Sequence, residues 1–318
     1  MYFIGVDGGG TKTNSILSDL RGNIIRTSVR GTGNIAILDR GSVAKLIRNL
    51  ISDLLQGEEI DKVRWITFAF AGAGRETEKE IAGEIIKGAG IRNFTIMTDA
   101  EILYYSIFND DPGILISAGT GSICLIKNEK KQFQQIGGRG YLLGDEGGGF
   151  DIGNKAIRAA INDLESGKEP SKLTNELLSF YGLKRVSEFI TITYSSLNPQ
   201  RLVASCAKLV CDLAEMGEEN AEKIVDSAAD ALLNLALKAT EQLKFLTELR
   251  IALVGSILKE SSIVNQKFKQ KARKRGLEFT YVQQELAAAA AAVLYSLTKS
   301  GEQASASLIN KLKRINFK

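Results

Sequence analysis

YFIGVDGGGTKTNSILSD, residues 2–19, is the stretch on which the fold turns. Tyr2 to Val6 is a short apolar run, and Asn14 to Asp19 resumes as a second one. The residues between them, Asp7-Gly8-Gly9-Gly10-Thr11-Lys12-Thr13, form a turn, so the segment predicts a β-hairpin. Glycines at Gly9 and Gly10 let backbone come close to a bulky anion and aim its N–H groups at the oxygens. Thr11, Lys12 and Thr13 add hydroxyl and ammonium donors, and Asp7 at the strand end can hold Mg²⁺ directly or through water. The pattern is not a Walker P-loop. Gly5 and Gly10 have the right gap, but Thr11 stands where the lysine must be, and a strand follows instead of a helix. Three consecutive glycines beside an acid exceed what a hairpin alone requires.

Working outward, Asn23 to Val29 reads as a third strand, and Val43, Leu46, Ile47, Leu50, Ile51, Leu54 and Leu55 recur at helical spacing. A strand (63–71), a helix (77–87), a strand (94–98) and a helix from about Asp99 follow. From Gly113 the opening pattern returns: strand 113–118, the turn Gly119-Thr120-Gly121-Ser122, strand 123–127, strand 132–136, then helix from about Asp151. This repetition points to an internal duplication. Residues 155–244 are helical in pattern with breaks near Gly167 and Gly182, and a strand (250–254), a helix, a strand (278–281) and two helices close the chain. Alternating strands and helices imply an α/β architecture with largely buried sheets. We expect domains at 1–112 and 113–299, with a last helix, about 300–318, returning to the first domain.

Four further features bear on chemistry. Asp99 follows a strand and starts a helix; Thr98 and Glu101 have capping-box spacing, which is reason enough for acids there. A catalytic carboxylate would use the same place, kept ionised by the helix N-terminus and delivered by the strand end. GGRGYLLGDEGGG, residues 137–149, concentrates glycine around the only acids of the stretch, Asp145 and Glu146. That density argues for close approach to a ligand, and the apolar Tyr141-Leu142-Leu143 argues against a freely solvated loop. Gly255-Ser256 ends an apolar strand, a weak signal compatible with a nucleotide ring against backbone. Two patterns mislead. GTGNIA, residues 31–36, fits a dinucleotide fingerprint but follows a third strand, and KFKQKARKR, residues 267–275, is a basic run more often solvated than nucleic-acid-binding. The alanines 287–292 let a helix pack tightly.

Composition narrows the chemistry. Hydrophobic residues make up 44% and charged ones 25% of 318, ordinary for a globular chain, and the net charge of +4 demands neither nucleic acid nor membrane. The longest apolar runs are strand-sized and no signal segment opens the chain, so a cytoplasmic location is expected. Cys124, Cys206 and Cys211 are too few and too scattered for a disulfide framework, and fit a reducing compartment. Histidine is absent altogether, which removes Ser-His-Asp and Cys-His hydrolysis and His-ligated zinc. Proton transfer must then use Asp, Glu, Lys, Tyr or Cys, and a metal would be a hard ion on oxygen, Mg²⁺ first.

FIGVDGGGTKT, Gly33-Asn34, TDAEI at Asp99, SAGTGS, GGRGYLLGDEGGG and Gly255-Ser256 follow one another as in N-acetylglucosamine kinases. From residue 2 to about 297 the chain also resembles archaeal hexokinases of the BadF/BadG/BcrA/BcrD ATPase group. The resemblance implies an actin-like ATPase fold, two duplicated ribonuclease H-like α/β domains around a nucleotide cleft. It implies an ATP- and Mg²⁺-dependent kinase acting on a hexose, an amino sugar or a related sugar acid, with no nucleic-acid or membrane partner and a homodimeric assembly. Asp7 and the turn through Thr13 resemble the first phosphate motif; Gly119, Thr120 and Gly121 resemble the second. Asp99 matches the family's base, Asn34, Asp99, Gly138 and Asp145 its sugar contacts, and Gly255-Ser256 its adenosine motif. Thr120 would stand near the transferred phosphoryl group. Arg139 replaces a frequent aromatic and Gly148 a frequent serine. The competing expectation is an ATPase activator or energy-coupling subunit of the same group, although Cys206 and Cys211 do not match its iron–sulfur ligands. A dinucleotide oxidoreductase and a non-catalytic binding module are the remaining classes.

Overall fold

The computed structural model describes residues 1–167, 169–244, 246–259 and 261–315. The chain folds into two compact units, Met1–Asp110 with Gln284–Lys318, and Asp111–Gln283.

The first unit opens with β1 (Tyr2–Gly8), β2 (Thr13–Asp19), β3 (Ile24–Arg30) and α1 (Arg40–Leu55). It continues with β4 (Val63–Phe70), α2 (Glu76–Gly88), β5 (Phe94–Thr98) and α3 (Asp99–Phe108). The sheet order is β3-β2-β1-β4-β5, antiparallel across β3, β2 and β1 and parallel across β1, β4 and β5. Phe3, Ile4 and Val6 of β1 are fully buried, as a central strand covered on both faces requires. Ile4, Val6, Leu17, Ile66 and Phe68 share a core with Val43, Ile47, Leu50 and Leu54 of α1 and Ala82 and Ile86 of α2.

The second unit repeats this plan: β6 (Ile114–Ala118), β7 (Ser122–Lys127) and β8 (Phe133–Gly137), followed by α4 (Gly149–Glu165). Five helices come next, α5 (Lys172–Tyr181), α6 (Glu188–Tyr194), α7 (Pro199–Ala204), α8 (Ala207–Glu215) and α9 (Glu219–Gln242). Then come β9 (Leu249–Val254), α10 (Ile263–Lys274) and β10 (Phe279–Tyr281). The order β10-β9-β6-β7-β8 has the same senses as the first sheet: an antiparallel triplet, β6 to β8, with β9 and β10 added in parallel. The duplication read from two weakly similar halves is therefore present as one strand topology used twice. The basic run of α10 faces the acids of α9: Lys271 bridges Asp226 and Asp230 at 2.8 Å each, and Lys267 reaches Asp226 at 3.4 Å. Arg275 also lies 3.8 Å from Asp230, so three cations of the run are answered within the unit.

The chain re-enters the first unit earlier than its sequence predicts. The expected second domain ran to 299, but α11 (Ala288–Lys299) belongs to the first unit, as does α12 (Ala306–Leu312); residues 316–318 of the expected last helix lie outside the described residues. The reason is packing. Alanines on α11 bring its backbone against β1 so closely that a Cβ on Gly5 would sit 2.5 Å from Val293 N and 2.9 Å from the Ala292 carbonyl carbon. Ser296 fastens the contact, its hydroxyl donating to Ile4 O (2.9 Å) and lying 2.7 Å from Thr67 Oγ1. Among the described residues no helix is long and apolar enough to cross a membrane.

Candidate active site

In the first unit the ends of β1 and β2 present the first glycine turn. Gly9 N–H donates to Lys12 O at 2.9 Å, closing the turn and leaving Gly10, Thr11 and Lys12 exposed at its tip. A Cβ on Gly10 would meet nothing within 4 Å, so the fold itself does not demand glycine there. Gly8 is different: its Cβ would lie 2.6 Å from Phe70 and 3.1 Å from Gly33 Cα. Thr13, expected among the phosphate donors, is fully buried and spends its hydroxyl on Gly31 O at 2.8 Å. Its side chain supports the turn because the 31–36 loop folds under it; Gly33 N–H donates to Gly9 O at 2.9 Å and Ile35 N–H to Ala71 O at 3.0 Å. That bracing also settles the dinucleotide-like pattern, since no helix starts until Arg40.

Asp7 pairs with Asn14 across the β1–β2 ladder. Burial pushes the Asp7 carboxyl up to about 6, against the Asn14 hydrogen bond and Lys12, which lower it; Asp99 adds a smaller upward push. Asn14 Oδ1 is buried without a hydrogen-bond partner. An acceptor oxygen left over beside a carboxylate is the donor set a hard cation uses. No cluster of three or more His, Cys, Asp or Glu that could hold a metal occurs among the described residues. One carboxylate with an amide oxygen suits Mg²⁺ delivered on a polyphosphate, which needs few protein ligands.

Asn34 accepts from Ala36 N–H through Oδ1 at 3.1 Å, which fixes its amide plane at the head of the bracing loop. Asp99 is the first residue of α3. The capping box is formed, with Glu101 N–H donating to Thr98 Oγ1 (3.0 Å) and Thr98 N–H to Glu101 Oε2 (2.8 Å). Capping is thus done by Thr98 and Glu101, and Asp99 keeps its carboxylate for other use, with one bond from Ala100 N–H at 3.0 Å. The helix N-terminus is not what dominates at this carboxyl. Burial raises it above the ordinary aspartate range, the Asp99 and Ala100 backbone N–H groups only partly oppose this, and Glu101 adds to it.

In the second unit, Gly119-Thr120-Gly121 turns from β6 into β7, Gly119 N–H donating to Gly121 O at 2.9 Å. The start of α4 is docked on this turn: Gly149 N–H donates to Gly119 O (2.7 Å) and Phe150 N–H to Thr120 O (2.9 Å). Ser122 Oγ donates to Glu146 O at 2.7 Å, tying the glycine-rich loop to the same turn. Asp145 occupies the left-handed region at φ 64°, rare for a residue with a side chain, and a Cβ on Gly121 would run into its carboxylate. It is 9% exposed, accepts from Gly140 N–H at 3.3 Å, and is raised by burial. Gly138 is held at the foot of the loop, its carbonyl accepting from Gln135 Nε2 at 2.8 Å.

Gly255 follows β9 at φ 100°, and Ile257 N–H donates to Ala118 O at 3.0 Å, so Gly255-Ser256 lies against the end of β6. A cavity of about 490 Å³ opens there, lined by Gly119, Thr120 and Gly149 on one side and by Ser256, Ile257 and Lys259 on another. It lies at the carboxyl ends of the parallel pair β6 and β9, where open α/β sheets place ligands. The third side is a face of α8 that the sequence reading missed: Lys208, Cys211, Asp212 and Glu215. Their three- and four-residue spacing was visible, but a charged helix face is ordinarily solvated, and nothing local tied it to a strand end forty residues on. Lys208 holds both Asp212 oxygens, at 2.8 and 2.6 Å. Cys211 is made unreactive by burial, its thiol pushed up to about 11.

The family profile of the BadF/BadG/BcrA/BcrD ATPases matches residues 4–296. The N-acetylmuramic acid/N-acetylglucosamine kinase of Clostridium acetobutylicum is 29% identical over 85% of this chain and 89% of its own. The N-acetyl-D-glucosamine kinase of Dictyostelium discoideum is 28% identical over 79% and 83%. Among solved structures, a Chromobacterium violaceum protein assigned as an N-acetylglucosamine kinase superposes with a TM-score of 0.72 at 23% identity, covering 92% of this chain and 98% of its own. A ROK family glucokinase from Streptomyces griseus superposes at 0.52 with 14% identity, covering 94% and 100%. These two likenesses are of fold, and with the doubled sheet topology they give this chain the actin-like ATPase fold.

Proposed function

We propose, for a chain that belongs to the BadF/BadG/BcrA/BcrD ATPase family, an ATP-dependent kinase that phosphorylates a hydroxyl of a hexose or amino sugar. The observation that carries this is the cavity of the second unit, which joins the Gly119-Thr120 turn to Gly255-Ser256 and so provides for phosphate at one end and nucleoside at the other. The two named relatives above, and a Vibrio cholerae glucosamine kinase that is 24% identical over half of this chain, phosphorylate amino sugars according to their names.

In this reading Asp99 accepts the proton of the acceptor hydroxyl as its oxygen bonds to the γ-phosphorus and the bond to the β,γ-bridging oxygen breaks, releasing ADP. Burial supports the assignment, because a carboxylate raised above its ordinary range is a stronger base at neutral pH. Asn34, Gly138 and Asp145 orient the sugar. Gly10, Thr11 and Lys12 of the first turn, and Thr120 of the second, are each assigned to phosphoryl oxygens, where positioning and fixed charge do most of the catalytic work. Asp7 and Asn14 Oδ1 would hold Mg²⁺, which supplies positive charge to the phosphate oxygens. A sugar is the small-molecule partner of this proposal, a homodimer its assembly and the cytoplasm its location.

A coupled ADP-release assay over glucose, mannose, glucosamine, N-acetylglucosamine and 2-keto-3-deoxygluconate tests it. Turnover that requires one of these sugars is expected. ATP hydrolysis that ignores all of them would move the chain to the ATPase-activator class.

A further inference from the structure

We infer that α8 reads the nucleotide along its length, Lys208 taking the phosphate chain and Asp212 the ribose hydroxyls. The inference rests on the nucleotide reading of the second unit's cavity and assigns it two residues that select the phosphoryl donor.

The charges of α8 run against its own dipole. A helix is stabilised by acids in its first turn and bases in its last. Yet α8 (Ala207–Glu215) has no acid in its first turn and no base in its last; Lys208 stands at the start, and Asp212 and Glu215 stand at the end. The helices packed on it obey the rule, with Glu219 and Glu222 in the first turn of α9 and Lys271, Arg273 and Lys274 in the last turn of α10. The ion pair within α8 is reversed as well. Lys208 precedes Asp212 by four residues, whereas Glu58–Lys62, Asp151–Lys155 and Glu219–Lys223 put the acid first, the stronger order. Helix stability therefore does not account for these charges. A sequence that breaks a local rule without local gain marks a functional place.

Lys208, Asp212 and Glu215 all line the cavity, and their order along it is fixed. Ala204, four residues before Lys208, packs at the phosphate end: a Cβ on Gly149 would lie 3.5 Å from Ala204 Cβ and 3.0 Å from Gly119 O. From there the wall passes Lys208, Asp212 and Glu215 at four- and three-residue steps, down one helix face at about 6 Å for each four residues. The facing wall begins at Ser256, whose Oγ would be 4.0 Å from a Cβ on Gly119, and ends at Ser262. A ribonucleotide with its terminal phosphate at Thr120 would lay its inner phosphates beside Lys208 and its ribose beside Asp212. The ion pair is no obstacle. Lys208 is 84% exposed, and an exposed pair is worth little, so a polyphosphate can take the ammonium from Asp212. Asp212 then keeps two acceptor oxygens, which suit the adjacent hydroxyl donors of a ribose. The ordinary alternative is a solvated helix face, to which nucleotide affinity would be indifferent.

Calorimetric titration with Mg²⁺ and without sugar tests this, using ADP and 2′,3′-dideoxy-ADP on the wild type, Lys208→Ala and Asp212→Asn. Lys208→Ala should weaken both nucleotides by ~10-fold or more. The wild type should prefer ADP to the dideoxy nucleotide by ~10-fold, and Asp212→Asn should remove most of that preference. Neither variant should lower the thermal midpoint, since each relieves a charge that opposes the helix dipole. Lowered midpoints with unchanged affinities would make the pair structural and overturn the inference. So would wild-type affinities in both variants, and the kinase reading would then still stand on its sugar-dependent turnover. A wild type that binds no ADP overturns the inference together with the nucleotide reading of the cavity.

Discussion

Asn14 Oδ1 lies buried and unpartnered beside the Asp7 carboxylate that its strand faces across the β1–β2 ladder. Nearly every buried polar atom finds a partner, and Asn14 Oδ1 is one of three such side-chain atoms without one among the described residues, with Glu78 Oε2 and Asn265 Oδ1; its place beside a carboxylate is what suits it to a cation. Asp7 itself carries the cost, being raised from 3.8 to about 6 by burial.

A group with a raised folded-state value binds an extra proton when folded, so its ionisation works against folding as pH climbs. Asp7→Asn should therefore equal the wild type in stability near pH 4 and exceed it above pH 6.5, by on the order of 3 kcal/mol for about two pKa units. Denaturant midpoints across that range measure it. A difference independent of pH would show that Asp7 is not desolvated.

Asp99→Asn should lower kcat by ~10²-fold or more while ADP binding, followed by calorimetry, stays as it was. The wild-type rate should fall as the medium is acidified through the raised value of Asp99. An acid limb at the ordinary aspartate position would exclude Asp99 as base.

Gly10→Ala separates ligand from fold. Nothing lies within 4 Å of the added methyl, so thermal stability should stay within ~0.5 kcal/mol of wild type. If the turn approaches phosphate, the KM for ATP should still rise several-fold; equal kinetics would take Gly10 out of the nucleotide site.

Cys211→Trp should fill much of the cavity beside Ser256 and raise the KM for ATP by ~10-fold or more, while the KM for sugar changes little. Unaltered nucleotide kinetics would place the nucleoside elsewhere.

Gly5→Ala tests the fold directly. The methyl meets the α11 backbone at Ala289, Ala292 and Val293, which cannot retreat as a flexible side chain could. A loss of ~3 kcal/mol is expected in urea unfolding; a loss below ~0.5 kcal/mol would mean that α11 is not held against β1.

Glycine, strand length and helical period made most elements legible, because turn chemistry and the alternation of apolar residues are local properties. The two hairpins, the capped start of α3 and the repeated strand pattern were readable for that reason. Three things were not. The return of α11 to the first sheet depends on Gly5 meeting Ala289, residues nearly the whole chain apart. The α8 wall of the cavity depends on a helix crossing a strand end far away in sequence. Whether Thr13 faces a ligand or the 31–36 loop, and whether Asp99 is lowered by its helix or raised by burial, depend on what surrounds each side chain. The sequence by itself determined which segments are strands, helices and glycine turns, since those follow from neighbours within a few residues. Only the tertiary structure decided which hydroxyls and carboxylates are left free for chemistry, since desolvation and hydrogen-bond supply are set by residues brought from elsewhere in the chain.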